Sequence, residues 1–419
     1  MQQKDGKSIP KDTCLIKYYW DLRKTVANCS RCSYCKYIDM WEVKDARFVN
    51  VCPSSLRYLF DSYSCQGRMD ISLALIDGRL KYEESPGLVD IFYKCDSCGG
   101  CDVSCKRGKD AERLRVLLEM RSRLVEDGQL VPGHMLVIDG LKKEDNMMMG
   151  RKADRGKWAE GLDVKDLTME KAEVVFHVGC RVSYDEKLWG VARSAVALLR
   201  DVGVDVGIMG GDEACCGGRA YDMGYRGELT KFAEHNIQAW TNAGVKAVVT
   251  LCADGYYAFK RLYPEKGSKF EVFHIVEFID RLIKEGRIKF SKVLPMTVTY
   301  HDPCHMGRRA DVYVPGKAIM GLYDPPRDIL KSIPGVELVE MYRIKEYAWC
   351  CGAGGGVKEG YPDFSDWTAR ERVEEAKATG AEAIVTACPW CEGNFMDAIN
   401  GKGEKIKVYD VVELVRRAI

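Results

Sequence analysis

Apolar positions along the chain follow two periods in turn. Leu114, Leu117, Leu118, Leu124 and Val125 fall on one face at i, i+3, i+4 and i+7 spacing, which predicts an amphipathic helix that Gly128 stops. Residues 131–170 are polar and glycine-containing, with the triplet Met147 to Met149, and read as a linker with local helix, the methionines touching a neighbour rather than a cofactor. From Glu173 short β-branched runs take over. A strand over 174–178 leads into Gly179-Cys180, and a helix over 187–200 stops near Gly203. A strand over 204–209, the loop Cys215-Cys216-Gly217-Gly218, a helix over 229–242 and a strand over 246–251 ending at Cys252 follow. Strands alternating with helices predict a layered α/β unit with a mostly parallel sheet.

The unit then repeats. A strand over 296–300 precedes Cys304, Cys350-Cys351-Gly352 forms a second double-cysteine loop, and a helix over 366–378 precedes a strand over 383–387 ending at Cys388. Cys215, Cys216 and Cys252 recur 135, 135 and 136 residues later, whereas Cys180 and Cys304 are 124 apart. GVKAVVTLC (244–252) and GAEAIVTAC (380–388) share five of nine residues. Internal duplication with a length change accounts for this. The expected division is 1–130, a linker over 131–170, a first repeat over 171–290 and a second over 291–419. The expected class is α+β, a mainly helical module followed by two duplicated α/β domains.

Composition narrows the chemistry. The 419 residues are 46% hydrophobic, so the chain can build cores, and 63 Lys and Arg against 62 Asp and Glu argue against a nucleic-acid-binding protein. No apolar run reaches 18 residues; the best, around Leu188 to Leu199, is interrupted by Arg193, so no membrane span is expected. The first residues lack the apolar stretch of a secretory signal, and the expected location is the cytoplasm. There the 19 cysteines, an odd number, read as metal ligands rather than disulfides.

Cys29, Cys32 and Cys35 are spaced by two residues and followed by Cys52-Pro53; Cys95, Cys98 and Cys101 have the same spacing and are followed by Cys105. This is the spacing of a two-cluster ferredoxin, in which three closely spaced thiolates wrap a [4Fe–4S] cubane and the fourth cysteine of each run serves the other cluster. One cluster is therefore assigned to Cys29, Cys32, Cys35 and Cys105, the other to Cys95, Cys98, Cys101 and Cys52. Sixteen residues separate Cys35 from Cys52, which implies an inserted loop, and Lys106 rather than proline follows Cys105. A pair of structural zinc sites is the alternative.

In the second repeat Cys304, Cys350, Cys351, Cys388 and Cys391 meet at strand ends and loops. Adjacent cysteines suit an ordinary disulfide poorly, and five thiols exceed a tetrahedral zinc site, so a larger iron–sulfur assembly is indicated. This pattern resembles the cysteine-rich CCG domain. Two such domains behind a two-cluster ferredoxin module resemble the D-type polypeptide of heterodisulfide reductase and the iron–sulfur subunits of glycolate, glycerol-3-phosphate and lactate oxidation systems. The resemblance runs from about Asn28 to Cys391. It implies a noncubane [4Fe–4S] cluster on Cys304, Cys350, Cys351, Cys388 and Cys391 that performs one-electron steps on a disulfide. The first repeat offers Cys180, Cys215, Cys216 and Cys252, but Gly255 stands where the fifth thiol is expected. Zinc, a smaller cluster, a noncubane cluster completed by Asp254, or a vestige all fit four thiols. Cys14 and Cys65 read as ordinary thiols.

His301, Asp302 and His305 surround Cys304. Either they deliver protons or they hold the loop, and holding the loop is the simpler reading; His301 remains the catalytic candidate, and His177 reads as ordinary. Gly352-Ala-Gly354-Gly-Gly356 fails the dinucleotide-loop pattern at Val357 and follows two cysteines, so its glycines read as backbone N–H groups approaching sulfur. With no flavin, nicotinamide, nucleotide or c-haem motif, partner subunits carrying flavin or iron–sulfur groups are implied. The expected function is an electron-transfer subunit of an anaerobic, heterodisulfide-reductase-like oxidoreductase. The alternatives are a relay subunit of a flavin dehydrogenase or benzoyl-CoA-reductase-type complex, and a zinc-binding scaffold.

Overall fold

The computed structural model describes residues 21–42, 44–400, 403 and 405–419; Cys14 and the first residues weighed for an export signal lie outside these. The first part is helical. Helices Leu22–Ala27, Cys65–Ile76, Leu88–Tyr93 and Gly100–Cys105 all pack against helix Arg113–Glu126. The expected stripe buries Leu114, Leu117, Leu118 and Leu124, and Gly128 ends the helix with φ +72°. The insertion between Cys35 and Cys52 closes on itself. Tyr37 bridges Asn50, Ile38 N donates to Val49 O and Val51 N donates to Lys36 O, each at 2.9 Å. The long gap therefore returns the chain to its start, and Cys52-Pro53 opens helix Pro53–Tyr58 with the proline at N1, where its missing N–H costs nothing.

Two parallel sheets carry the repeats. Strands β1 (Lys165–Asp166), β2 (Val174–His177), β3 (Val206–Ile208), β4 (Ala247–Thr250) and β5 (Glu271–His274) form one, in the order β1-β3-β2-β4-β5. Strands β6 (Met296–Tyr300), β7 (Val336–Leu338), β8 (Ala383–Thr386) and β9 (Lys407–Asp410) form the other, in the order β7-β6-β8-β9. Every residue of β2, β4 and β8 is buried, as expected for central strands covered by helices on both faces. The predicted helices appear as Trp189–Asp201, Arg226–Asn242 and Pro362–Lys377. Strands β1, β5, β7 and β9 carry no clear sequence signal, because edge strands are short and mix exposed with buried positions.

The 131–170 segment is not a loose linker. Helix Pro132–Glu144 buries Val137, Ile138 and Leu141, Met147 and Trp158 enter the core of the repeats, and β1 extends the first sheet against β3. A few well-spaced apolar residues anchor it, and averaging them with the many charges hides them. Among the described residues no helix is long and apolar enough to cross a membrane.

Candidate metal centres

Four groups of thiols lie at the strand ends and in the helical module. Cys29, Cys32, Cys35 and Cys105 line one cavity together with Arg113, whose Nε reaches Cys105 Sγ at 3.4 Å. Cys65 lines the same cavity. It is 4% exposed and hydrogen-bonds both Cys35 and Cys101, so it sits between the two runs rather than apart from them. The bond from Cys65 holds the Cys35 thiol down to about 7 against the opposing effect of burial. The second run gathers Cys52 with Cys95 and Cys98, whose charges act on it. A Cβ at Gly100 would lie 3.8 Å from Cys98 Sγ and one at Gly108 3.7 Å from Cys32 Sγ, so both glycines sit beside these sulfurs at ordinary contact distance.

The five thiols of the second repeat form a connected set. Cys350 hydrogen-bonds Cys304, Cys351 and Cys98, while Cys351 bonds Cys391 and His301. Cys388 bonds Cys391 and, across the repeats, Cys252. Gly352 N donates to Cys350 Sγ at 3.3 Å, the backbone contact expected of the glycine run. Bonds from Cys350 and then Cys391 push the Cys351 thiol well below its ordinary range, and bonds from Cys350 do the same to Cys304 against burial. Cys388 is lowered likewise while Cys350 and Cys391, which bond these sulfurs, are raised, so the set is a knot of close sulfurs of the kind that suits a metal cluster.

Asp302 holds the Cys304 loop. It accepts from Arg327 at 2.7 and 2.9 Å and from Lys345 N at 2.8 Å. His305 Nδ1 lies 3.3 Å from Cys304 Sγ and 3.3 Å from Asp254, and its Nε2 lies 3.1 Å from Asp222. Arg309 Nη2 donates to Asp222 at 2.7 Å, so a buried polar cluster joins the two repeats.

In the first repeat Cys180, Cys215, Cys216 and Cys252 line a cavity with Met147, His177, Gly255 and Trp390. Met147 therefore faces a candidate metal site, where its sequence context suggests only a packing contact. Gly217 N donates to Cys215 Sγ at 3.4 Å, matching Gly352 in the other repeat. Arg155 lies 3.5 and 3.6 Å from Cys180 Sγ and pairs with Glu213 at 2.8 Å. Asp254 is held by Arg219 at 2.8 Å as well as by His305. Its carboxylate lines the same cavity, with both oxygens already engaged by these two side chains.

Sequence reasoning missed the buried arginines beside these sulfurs. Arg113, Arg155 and Arg308 act on Cys105, Cys180 and both Cys98 and Cys304. A guanidinium offsets thiolate charge in a dry interior, but a single arginine carries no spacing signal by which to find it.

A family model of the cysteine-rich domain CCG matches residues 174–260 and 298–396. The D-type polypeptide of the dihydromethanophenazine:CoB–CoM heterodisulfide reductase of Methanosarcina acetivorans is 37% identical over 337 residues, 79% of this chain and 78% of that one. The chain belongs to the family of heterodisulfide reductase D-type polypeptides. It is an iron–sulfur oxidoreductase subunit with an α+β fold. The EtfAB:quinone oxidoreductase of Syntrophomonas wolfei is 30% identical over 79% of this chain and 47% of its own length. The probable iron–sulfur-binding oxidoreductase FadF of Bacillus subtilis is 31% identical over 85% of this chain and 50% of its own. The chain spans about half of these two relatives. A hypothetical protein from Helicobacter pylori shares the fold, with a TM-score of 0.54 at 9% identity over 95% of this chain and 76% of that one.

Proposed function

We propose that this protein passes electrons from a partner through two cubane sites to a five-thiol centre in the second repeat, where a disulfide is reduced. The contact between Cys98 of the second ferredoxin run and Cys350 of the second repeat carries the reading. It leaves no intervening side chain between the last cubane site and the five-thiol set. Cys29, Cys32, Cys35 and Cys105 would hold the first cubane, and Cys95, Cys98, Cys101 and Cys52 the second. Cys32 is exposed, which supports electron entry there from a flavin- or iron–sulfur-containing partner.

Cys304, Cys350, Cys351, Cys388 and Cys391 would hold the noncubane cluster. When bound, that cluster supplies one-electron chemistry to a sulfur of the substrate. The overall step breaks one S–S bond and takes up two electrons and two protons to give two thiols. Around it, Asp302 and Arg327 fix the Cys304 loop, and Arg308 balances the charge shared by Cys98 and Cys304. Cys180, Cys215, Cys216 and Cys252 form a four-thiol site whose lack of a fifth sulfur at Gly255 fits zinc or a smaller cluster rather than a second reductive centre.

The likeness to EtfAB:quinone oxidoreductase and FadF favours a second reading, a relay without disulfide chemistry. Anaerobically reconstituted full-length chain separates the two. Oxidised protein treated with thiol is expected to give a thiol-dependent paramagnetic signal that Cys351→Ala abolishes and Cys215→Ala leaves. A complete iron content without any thiol-dependent signal favours the relay, and zinc without iron or labile sulfide refutes both.

A further inference from the structure

The repeats carry equivalent histidines that their neighbours make chemically different. His177 ends β2 and His301 follows β6, each three residues before the first cysteine of its repeat and each 1% exposed. His177 Nε2 lies 3.1 Å from Ala214 O. A carbonyl only accepts, so Nε2 carries the hydrogen, and the lone pair on Nδ1 has no partner.

His301 is the reverse. Arg372 Nε donates to His301 Nδ1 at 3.2 Å. A guanidinium has no acceptor, so Nδ1 holds the lone pair and the ring hydrogen sits on Nε2. His301 also hydrogen-bonds Cys351, and a ring nitrogen lies within 4.8 Å of the sulfurs of Cys351 and Cys391. With Nδ1 occupied by Arg372, the group left for sulfur is an N–H. Arg372 is itself locked, donating Nη1 to Glu375 at 2.7 Å and to Arg343 O at 2.9 Å. Phe395 packs edge-on against the imidazole at 4.8 Å and fixes its plane.

We propose that His301 is a positioning residue that donates Nε2–H to the Cys351 sulfur, held in that tautomer by Arg372 and Glu375, and that it neither ligates metal nor delivers a substrate proton. The lone pair that ligation needs points at a guanidinium. The first repeat lacks this device, because its histidine spends its N–H on Ala214, the residue before Cys215. The inference rests on the reading that the second repeat holds a cluster. It adds a second difference between the repeats beside the missing fifth thiol. A hydrogen bond to a ligand sulfur favours the reduced, more negative state, so losing it lowers the reduction potential.

The test uses full-length chain reconstituted anaerobically, comparing unaltered protein with His301→Leu, His301→Gln and Arg372→Leu by iron and sulfide content, redox titration and paramagnetic spectra. His301→Leu is expected to keep its iron and shift the second-repeat cluster to lower potential. His301→Gln, whose amide can donate, recovers part of the shift, and Arg372→Leu gives a smaller shift of the same sign. Loss of about four irons in His301→Leu at unchanged content of the other clusters would show a ligand and overturn the proposal. An unchanged potential and spectrum in His301→Leu would overturn it too. If His301→Leu does not fold, a potential in His301→Gln or Arg372→Leu equal to that of the unaltered chain is the overturning result. Absence of any second-repeat cluster in the unaltered chain refutes the functional reading itself and is distinguished by the iron count.

Discussion

Glu375 holds two guanidiniums in a fully buried network, and neutralising it should loosen the second repeat. Glu375, Arg343 and Arg372 side chains are each 0% exposed. The carboxylate accepts from Arg343 N at 2.7 Å, Arg343 Nε at 3.0 Å and Arg372 Nη1 at 2.7 Å. Arg343 also donates Nη1 to Asn50 O at 2.7 Å, tying the segment between Cys35 and Cys52 to the repeat. Glu375→Gln keeps the shape and the acceptor for Arg343 N but removes the anion that both cations share. Breaking a buried pair in this way costs about 3–5 kcal/mol. At 1.36 kcal/mol per decade, protection of the β6 and β8 amides in native-state hydrogen exchange should fall by about 150- to 5,000-fold. Pairing the change with Arg343→Met removes one stranded cation and should regain part of the protection. A fall below about fivefold in Glu375→Gln would refute the view that this carboxylate neutralises the network.

On the proposed assignment Cys98→Ser should cost about four irons per chain and one cubane signal, counted by anaerobic iron and sulfide analysis, since a cluster held there would be part of the folding energy of its module. Trp158→Ala should destabilise the first repeat by about 3–5 kcal/mol, seen as a lower melting temperature, because Trp158 is 2% exposed and packs near Phe176. For the same reason limited proteolysis should spare the segment around Trp158, and early cleavage there would count against its packing. Burial holds His134 down to about 4, and its Nε2 bonds Gly356 O at 2.7 Å in the loop after the second double cysteine. The unfolded state therefore binds a proton that the folded state refuses between pH 6.5 and 4, and stability falls on acidification through that window by about 3 kcal/mol. His134→Gln should flatten this share of the pH dependence in chemical denaturation curves.

Much of the organisation was legible in the residue order. Tight cysteine spacing marked the two runs whose thiols the fold then gathers, because two-residue spacing keeps successive thiols on one loop. The buried strands β2, β4 and β8 announced themselves as apolar β-branched runs, because parallel strands are covered on both faces. The duplication was visible because Cys215, Cys216 and Cys252 return at a near-constant offset. Tertiary structure decided what depends on partners distant in sequence. The 131–170 segment looked polar because its anchors, Ile138, Met147 and Trp158, are few and meet their core only after folding. Cys65 looked ordinary until helix packing set it between Cys35 and Cys101. His177 and His301 hold equivalent places in the two repeats, and only their acceptor or donor neighbours, Ala214 and Arg372, fix which nitrogen carries the hydrogen. Cys98 meets Cys350, and Cys252 meets Cys388, across more than a hundred residues of chain, because sheets and helices bring together sulfurs that no local pattern relates.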